Sequence, residues 1–303
     1  MAGATPTFSV VIPAYNRAHL IRATIDSVLE QTFGDFEVLV VDDGSKDNTG
    51  EVVSAITDPR VRYVRQENAG ANAARNRGID EALGPFVAFL DSDDTFLPHH
   101  LEMAHQKLSQ DPEQIIYSQV IVDRGGGKKF LKPPRAWRPT EHMAEYLMCD
   151  RGFVQTSTLV VPTNLARQVR YREGLPNGQD IDVAIRLFNA GGCFVMNDKP
   201  TAVWRDVADN SRISASSRPG PRLEWIEDMR AQVPARAYYG FRGWFIAKAF
   251  ARQGEMSKAL QLYFAALLRR AYSPKLSATI FLQLALSGPL YRHISNIYLK
   301  LRK

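Results

Sequence analysis

Cysteine is scarce in this sequence, and long apolar runs are missing. Only Cys149 and Cys193 occur among the 303 residues, too few for a disulfide framework and without the Cys/His spacing of a zinc site. No uninterrupted apolar stretch approaches the roughly 18 to 20 residues that span a bilayer. The opening residues carry no basic leader, and the first apolar run, Phe8–Ile12, is too short for a signal peptide. We therefore expect a cytoplasmic protein rather than a secreted scaffold or an integral membrane protein.

Acidic residues are almost missing from the C-terminal part of the chain. Residues 251–303 contain nine Lys or Arg against one acid, Glu255, whereas the whole chain has a net charge of +6. Such a segment predicts contact with an anionic surface, either a membrane or a nucleic acid. Because aliphatic and aromatic residues are interleaved with the basic ones, the inner face of the cytoplasmic membrane is favoured and no nucleic-acid partner is expected. The alternative is helices that pack within the protein and leave a solvated basic rim.

The first part of the chain alternates between short β-type runs and helical patterns. Strands are predicted at Phe8–Ile12, Phe36–Val41, Val61–Val64 and Phe86–Leu90. Helical periodicity covers Leu20–Leu29, a segment from about Thr49, and Asn68–Leu83, which Gly84 is expected to close as a C-terminal cap. This order predicts an α/β fold with a mostly parallel sheet flanked by helices. In such a sheet, ligands collect at the carboxyl ends of the strands.

Beyond Leu97 the pattern is less regular. Helices are predicted at His99–Leu108 and Asp180–Ala190, and strands at Ile115–Val122, Phe153–Val161 and Cys193–Met196. Residues 221–303 are helical in pattern. The expected organisation is therefore an α/β domain over residues 1–220 and a helical, basic C-terminal region over residues 221–303.

An acidic loop, Asp91-Ser92-Asp93-Asp94, follows directly on the apolar run Pro85–Leu90. Three carboxylates at the end of a buried strand repel one another and lose hydration, so stability alone does not explain them. Hard oxygen ligands in this position suit Mg²⁺ or Mn²⁺, which usually bind through one or two carboxylates and the phosphates of a substrate. The loop therefore predicts a site for a divalent cation and a diphosphate.

Four further motifs accompany the acidic loop in a fixed order. They are Pro13-Ala14-Tyr15-Asn16, Asp42-Asp43-Gly44-Ser45, the stretch Asn68–Gly78, and Gly178-Gln179-Asp180 at the start of a helix. Together, over residues 7–215, they resemble the family 2 glycosyltransferases, inverting enzymes with an A-type nucleotide-binding fold. That resemblance implies a catalytic role for the α/β domain.

The resemblance also implies a role for particular residues. Asp180 matches the base that deprotonates the acceptor hydroxyl, and Asp93 matches the ligand of the divalent ion. Asp43 is expected to accept hydrogen bonds from uracil or ribose, and Arg75 to direct its charge toward base or diphosphate. The expected nucleotide-sugar contacts are Pro13, Ala14, Tyr15, Asn16, Asp43, Asn68, Arg75, Asp91 and Ser92. Arg205 and Arg212 are the expected diphosphate contacts in the segment that folds over the donor.

Several positions have an alternative interpretation. Asp182 is a second candidate for the base, or else a charge on the helix surface. Asp94 is expected to cap the helix that follows it, Asn16 to cap the first helix, and Asp42 to hold its own loop. The histidines are expected at the surface. The chain also departs from the family pattern, with Gln179 in place of the usual glutamate and Val207 where many relatives have histidine.

The function implied is a metal-dependent inverting transfer of one sugar. The donor is expected to be a nucleotide-sugar, UDP-linked, and the acceptor a glycan or lipid-linked saccharide in exopolysaccharide, lipopolysaccharide or capsule assembly. A binding or regulatory module that has lost turnover is the rival, because of Gln179 and Val207. A nucleotidyltransferase would instead need a Gly/Arg/Lys-rich phosphate loop at Pro13–Asn16.

Overall fold

The computed structural model describes residues 5–206, 219–286 and 290–291 of the chain. The described residues divide into two compact units. The first takes in residues 5–125, 129–136 and 154–206, and the second takes in residues 126–128, 137–153 and the described residues from 219 onward. The helices predicted from residue 221 thus group with an earlier segment, Trp137–Phe153.

A seven-stranded, mostly parallel sheet forms the centre of the first unit. Its strands are β1 (Phe8–Ala14), β2 (Phe36–Asp42), β3 (Val61–Arg65), β4 (Phe86–Phe89), β6 (Gln114–Tyr117), β9 (Val160–Pro162) and β10 (Cys193–Met196). They lie in the order β10-β6-β9-β4-β1-β2-β3, and β9 alone among them runs antiparallel to its neighbours. Every residue of β1 and β2 is buried, as expected for central strands covered on both faces.

The helices of the first unit are α1 (Ile21–Leu29), α2 (Thr49–Ser54), α3 (Ala71–Glu81), α4 (His100–Leu108), α6 (Thr163–Val169) and α7 (Gln179–Asn189). The predicted α/β fold is confirmed. Helix α3 packs closely on β1, because a Cβ at Gly78 would lie 2.3 Å from Cγ1 of Val11. A residue without a side chain is therefore required where α3 crosses the strand.

A second sheet contains four strands in the order β5-β11-β7-β8. Its strands are β5 (Thr95–Phe96), β7 (Val120–Asp123), β8 (Lys129–Lys132) and β11 (Ala202–Arg205). The prediction of one strand over Ile115–Val122 is wrong, because the chain leaves the first sheet after Tyr117 and enters the second at Val120. The hydroxyl of Ser118 accepts hydrogen bonds from Asn197 and Thr201, and these distant partners hold the break.

Three predicted boundaries also differ from the structure. Helix α3 begins at Ala71 rather than Asn68, because the preceding residues are bound to Asp43. Gly84 is not a left-handed cap. A Cβ there would lie 2.8 Å from the Pro6 carbonyl oxygen, so the glycine allows the two backbone segments to approach closely. In the predicted strand Phe153–Val161, residues Thr156–Thr158 instead form one 3₁₀ turn before β9.

The second unit is helical in its described part. Its helices are α5 (Met143–Cys149), α8 (Pro219–Asp228), α9 (Ala235–Phe241), α10 (Ala247–Arg252), α11 (Met256–Leu268) and α12 (Pro274–Ala285), with a π-helical segment at Arg242–Ile246. Helix α5 packs against α9, and α11 packs against α10 and the π-helical segment. Among the described helices, none has both the length and the apolar character that a bilayer crossing requires.

Candidate active site

The loops after β1 and β2 hold each other at the carboxyl end of the sheet. Asp42 is fully buried, and its carboxylate accepts hydrogen bonds from the Ser45 backbone N–H at 2.8 Å and the Tyr63 hydroxyl at 2.6 Å. Its expected role in holding the loop is confirmed. The Ser45 hydroxyl in turn accepts from the backbone N–H of Asn16 at 2.9 Å.

Asn16 has a left-handed backbone, with a φ of 53°. Its side-chain oxygen accepts from the Lys46 backbone N–H at 2.7 Å, so it joins the two loops. The expectation that it caps the first helix is wrong, because α1 begins at Ile21 and its N-terminus has no side-chain cap. Pro13 and Ala14 are buried in β1, whereas the ring of Tyr15 is exposed beside them.

Asp43 organises the start of α3. One of its oxygens accepts from Gln66 Nε2 at 2.7 Å and from the Ala69 N–H at 2.9 Å, and the other accepts from the Gly70 N–H at 2.7 Å. The side-chain amide of Asn68 donates to the Asp43 carbonyl oxygen at 2.9 Å. These bonds bring Asp43 and Asn68, both predicted site residues, to one place, and they fix the loop that leads into α3.

Arg75 lies inside the protein, on the face of α3 that points to the acidic loop. Only 3% of Arg75 is exposed, and its guanidinium donates to Asp91 Oδ1 at 2.5 Å and to Asn72 Oδ1 at 2.8 Å. It also lies 5.2 Å from the centre of the Tyr171 ring. Arg77, by contrast, is exposed and pairs with Glu81 one turn later. Of the two arginines, Arg75 is therefore the one at the site.

The acidic loop is anchored on both sides. The Thr24 hydroxyl on α1 lies within hydrogen-bonding distance of the carbonyl oxygens of Ser92 and Asp94, and the Asp91 N–H donates to Ser157 Oγ at 3.1 Å. Asp91 and Asp93 are half-buried, whereas Ser92 and Asp94 are buried. Of the three acidic residues in the loop, two are thus half-buried and one is buried.

Asp94 accepts from Ser157 Oγ and Gln155 Nε2, both at 2.7 Å, and from the Arg205 N–H at 3.2 Å. The expectation that it caps a helix is wrong, since α4 begins at His100 without a side-chain cap. Burial raises the pKa of Asp94 well above its ordinary value, and the charges of Asp91 and Asp93 add to the rise.

The backbone of Arg205, at the end of β11, therefore touches the acidic loop through Asp94. Arg212 and Val207 lie outside the described residues. The expectation of surface positions for the histidines fails at His100, which is buried and stacked on Phe96 with a centroid distance of 3.8 Å. Its Nδ1 lies 2.7 Å from the Thr201 hydroxyl, and burial lowers its pKa to about 3.

Asp180 lies in the first turn of α7 and belongs to the same cluster. Its Oδ1 accepts from the Thr156 backbone N–H at 3.1 Å and from the Thr156 hydroxyl. Burial raises the pKa of Asp180, the charge of Asp91 raises it further, and Thr156 and Arg75 lower it, with a resulting pKa of about 6. A carboxyl with this pKa exchanges protons near neutral pH.

Asp182, in the same turn of α7, has a different environment. It is 1% exposed, and its two oxygens pair with Arg172 at 3.3 Å and Arg186 at 2.5 Å. Two guanidinium partners hold this carboxylate, so its ion pairs are structural. The structure therefore separates Asp182 from the candidate base.

The acidic loop has oxygen donors of the kind that a divalent ion requires. Within the ranges that the structure describes, no three His, Cys, Asp or Glu side chains are grouped as a complete metal site. A Mg²⁺ or Mn²⁺ ion that also binds substrate phosphates needs only one or two carboxylates. Burial raises the pKa of Asp94 and of Asp180, and the charge of Asp91 raises both further, so negative charge is concentrated at this edge of the sheet. Oxygen donors with excess negative charge fit such an ion, and Asp93 is the residue that would hold it.

Sequence reasoning missed the residues that connect these parts. Asn72 donates to the Arg172 carbonyl oxygen at 2.7 Å, and Asn76 exchanges hydrogen bonds with the backbone of Tyr171. Because Asn72, Arg75 and Asn76 are three and four residues apart, they share one face of α3, and this spacing was a usable signal. Nothing in the local sequence pointed to Thr156.

A mostly parallel α/β sheet with an acidic loop and a titratable carboxyl at the carboxyl ends of its strands is the architecture of the A-type glycosyltransferase fold. Two solved structures are similar over nearly the whole chain. Staphylococcus aureus TarS 1–349 in complex with UDP-GlcNAc has a TM-score of 0.69 at 19% identity, covering 97% of this chain and 92% of that one. The mannosyltransferase PcManGT from Pyrobaculum calidifontis, in complex with GDP-Man and Mn²⁺, has a TM-score of 0.59 at 21% identity, covering 97% and 85%. At these identities the similarity shows the fold.

The sequence comparisons identify the family. The profile of Glycosyl transferase family 2 matches residues 9–171. The amylovoran biosynthesis glycosyltransferase AmsB of Erwinia amylovora is 34% identical over 266 residues, which are 84% of this chain and 87% of AmsB. The UDP-Glc:alpha-D-GlcNAc-diphosphoundecaprenol beta-1,3-glucosyltransferase WfgD of Escherichia coli is 38% identical over 130 residues, 42% of this chain and 51% of WfgD. The chain belongs to glycosyl transferase family 2, and it is a glycosyltransferase.

The ion pairs of Asp182 give a prediction about stability. Asp182→Asn should lower the free energy of unfolding by about 1–3 kcal/mol, because both arginines lose a charged partner while their own partial exposure limits the cost. Asp80→Asn is the matched control, since Asp80 pairs with Arg170 at the surface and such pairs contribute about 1 kcal/mol or less. Urea unfolding followed by circular dichroism measures both. Equal losses for the two variants would contradict a structural role for Asp182.

Proposed function

We propose that this glycosyltransferase moves one sugar from a UDP-linked donor to a glycan or lipid-linked saccharide acceptor, with inversion and with Mg²⁺ or Mn²⁺. The observation that carries the proposal is the position of Asp180, electrostatically coupled to Asp91 and Arg75 at the carboxyl end of the sheet. A base next to the expected donor site is the arrangement that a single inverting displacement requires.

In the proposed reaction, the acceptor hydroxyl oxygen attacks the anomeric carbon as the bond from that carbon to the diphosphate oxygen breaks. The hydroxyl proton passes to the Asp180 carboxylate, and the bonding electrons leave with the nucleoside diphosphate. A divalent ion held by Asp93 would supply positive charge to the leaving diphosphate. Arg75 holds Asp91 in place and contributes a fixed charge to the same region.

The donor site is formed by the loops after β1, β2 and β4, which are neighbours in the sheet. In the proposal, the exposed ring of Tyr15 lies against the base, and Asp43 and Asn68 contact the nucleoside. Support for the donor class comes from the fold neighbour in complex with UDP-GlcNAc and from WfgD, a glucosyltransferase that uses UDP-Glc. The remaining proposed contacts are Pro13, Ala14, Asn16, Ser92, Arg205 and Arg212.

The biological setting follows from the relatives. AmsB is named for amylovoran biosynthesis, and the acceptor in the name of WfgD is a sugar diphosphoundecaprenol. We therefore place this enzyme in bacterial polysaccharide assembly, in the cytoplasm and at the inner face of the cytoplasmic membrane. The rival, a binding module without turnover, is disfavoured by the raised pKa of Asp180, because such a pKa suits proton transfer.

The second unit offers a surface suited to that membrane. Apolar side chains are exposed on α11 and α12, with Leu268 exposed to 83%, and Phe264 and Phe281 both touch the ring of Tyr263. Arg270, between the two helices, and Lys275, in the first turn of α12, are exposed. An apolar face beside positive charge favours the interface of an anionic bilayer. The basic residues Arg292, Lys300, Arg302 and Lys303 lie outside the described residues.

Asp93→Ala should abolish metal-dependent donor binding while the protein stays folded. For the parent protein, UDP-sugar at a hundredfold excess over Kd adds about 2.7 kcal/mol of stability, which appears as a rise in Tm that requires Mg²⁺ or Mn²⁺. Asp26→Ala, at an exposed helical ion pair, is the control and should keep that rise. Full activity of Asp93→Ala, or of the parent in EDTA, would show that the metal assignment is wrong.

Asp180→Asn should reduce sugar transfer by about a hundredfold or more at unchanged donor affinity, because an amide cannot take the acceptor proton. In the parent, kcat should fall as the pH falls through about 6, since only the carboxylate form acts as a base. Asp182→Asn serves as the control and should keep the parent pH profile. A loss of donor affinity equal to the loss in rate would assign Asp180 to donor binding.

Membrane binding is tested with liposomes that contain cardiolipin. Changing Arg270 and Lys275 to Glu should weaken flotation of the protein by at least tenfold at low salt, at about 1 kcal/mol for each charge near the surface. Lys107 and Lys199 lie on the first unit. Changing both to Glu alters the net charge by the same amount as the first variant and should leave flotation unchanged. No flotation of the parent, or equal flotation of both variants, would exclude the proposed surface.

A further inference from the structure

Within the described part of the chain, the hydrogen bonds to Asp180 come from one residue and reach one oxygen. The backbone N–H and the hydroxyl of Thr156 both donate to Oδ1 of Asp180. A carboxylate oxygen that accepts two hydrogen bonds is held in position and is the less basic of the pair, because its lone pairs are occupied. The geometry leaves Oδ2 as the oxygen that can face an acceptor hydroxyl.

We infer that Thr156 is a positioning residue, which fixes the rotation of the Asp180 carboxylate so that Oδ2 takes the proton of the acceptor. The inference rests on the proposed role of Asp180 as the base. It assigns a function to the 3₁₀ turn Thr156–Thr158, which lies outside all the motifs that resemble the family.

The turn is rigid and is tied to the acidic loop. The N–H and the hydroxyl of Thr158 both donate to the Gln155 carbonyl oxygen, at 2.9 and 2.8 Å. The hydroxyl of Ser157 accepts from the Asp91 N–H and donates to Asp94. Thr156 is fully enclosed between these contacts, with 1% of its surface exposed. The position of the base relative to the acidic loop is therefore set through this turn.

The charged and titratable groups around Asp180 determine how the Thr156 hydroxyl changes the pKa of Asp180. Asp91, after β4, repels the carboxylate, and Arg75, on α3, attracts it. Tyr171 is buried against Arg75, and burial raises its pKa far above the working range, so it stays neutral. Thr156 adds hydrogen bonds that favour the charged form of Asp180 and lower its pKa. Loss of the hydroxyl should therefore raise the pKa of Asp180 above about 6.

Thr156→Val keeps the shape and the backbone N–H but removes the hydroxyl. Its kcat for sugar transfer should fall about 10- to 100-fold, the range for one hydrogen bond to a charged group. The acid limb of its kcat–pH profile should move up by about one pH unit, at an unchanged KM for the UDP-sugar. Thr156→Ser retains the hydroxyl and should restore both the rate and the profile. Thr158→Val removes a hydroxyl from the same turn that does not touch Asp180, so it should keep the acid limb of the parent pH profile even if the turn is loosened and the rate falls.

Asp180→Asn in the same assay separates this inference from the proposed function. If Asp180→Asn is inactive and Thr156→Val has the parent pH profile, the positioning role of Thr156 is excluded while the base remains. If Asp180→Asn keeps its transfer rate, the base assignment fails, and the inference fails with it. The same shift of the acid limb in Thr156→Val and Thr158→Val, or a lost donor-induced rise in Tm, would also overturn the inference, because the turn would then be merely structural.

Discussion

The ion pair between Arg75 and Asp91 is the constraint on which the site depends. A guanidinium that is 3% exposed loses nearly all its hydration, and such a charge persists inside a protein only when it is paired and hydrogen-bonded. Asp91 and Asn72 provide those bonds. Since Arg75 is on α3 and Asp91 follows β4, the pair joins a crossover helix to the strand that carries the acidic loop. The close packing of α3 on β1 at Gly78 brings the guanidinium to this place.

Arg75 lies beside several carboxylates, so negative charge exceeds positive charge around it. These carboxylates differ in burial and in hydrogen bonding. Asp94 is buried and receives three hydrogen bonds, so its position is structural even though its pKa is raised. Asp93, the proposed metal ligand, is half-buried. In the proposed function, this charge imbalance would lower stability in the absence of ligand and would favour a cation and a diphosphate that bind together. A binding site that is less stable when empty is a common result of such arrangements.

Local patterns in the sequence predicted the strands and helices whose formation depends on neighbouring residues. The continuous apolar runs of β1, β2 and β4 and the alternation with helices indicated a parallel sheet, and the ends of those strands indicated the site. The break at Ser118 was not predictable, because its hydrogen-bond partners are 79 and 83 residues away. The same holds for Thr156, whose contact with Asp180 spans 24 residues and no secondary-structure period. Family resemblance found residues expected to touch the ligand, whereas the residues that support them became visible only in three dimensions.

Asp180 and Asp182 show how neighbouring carboxyls on one helix acquire different chemistry. Both lie in the first turn of α7, where the helix dipole favours negative charge equally. Two residues correspond to a rotation of about 200° around the helix axis, so their side chains leave on opposite faces. Asp182 meets two guanidiniums, whereas Asp180 meets a hydroxyl, a backbone N–H and the repelling charge of Asp91. The helix therefore supplies the position of both groups, whereas the partners on each face differ: they hold Asp182 in ion pairs, and burial together with the charge of Asp91 raises the pKa of Asp180 to about 6.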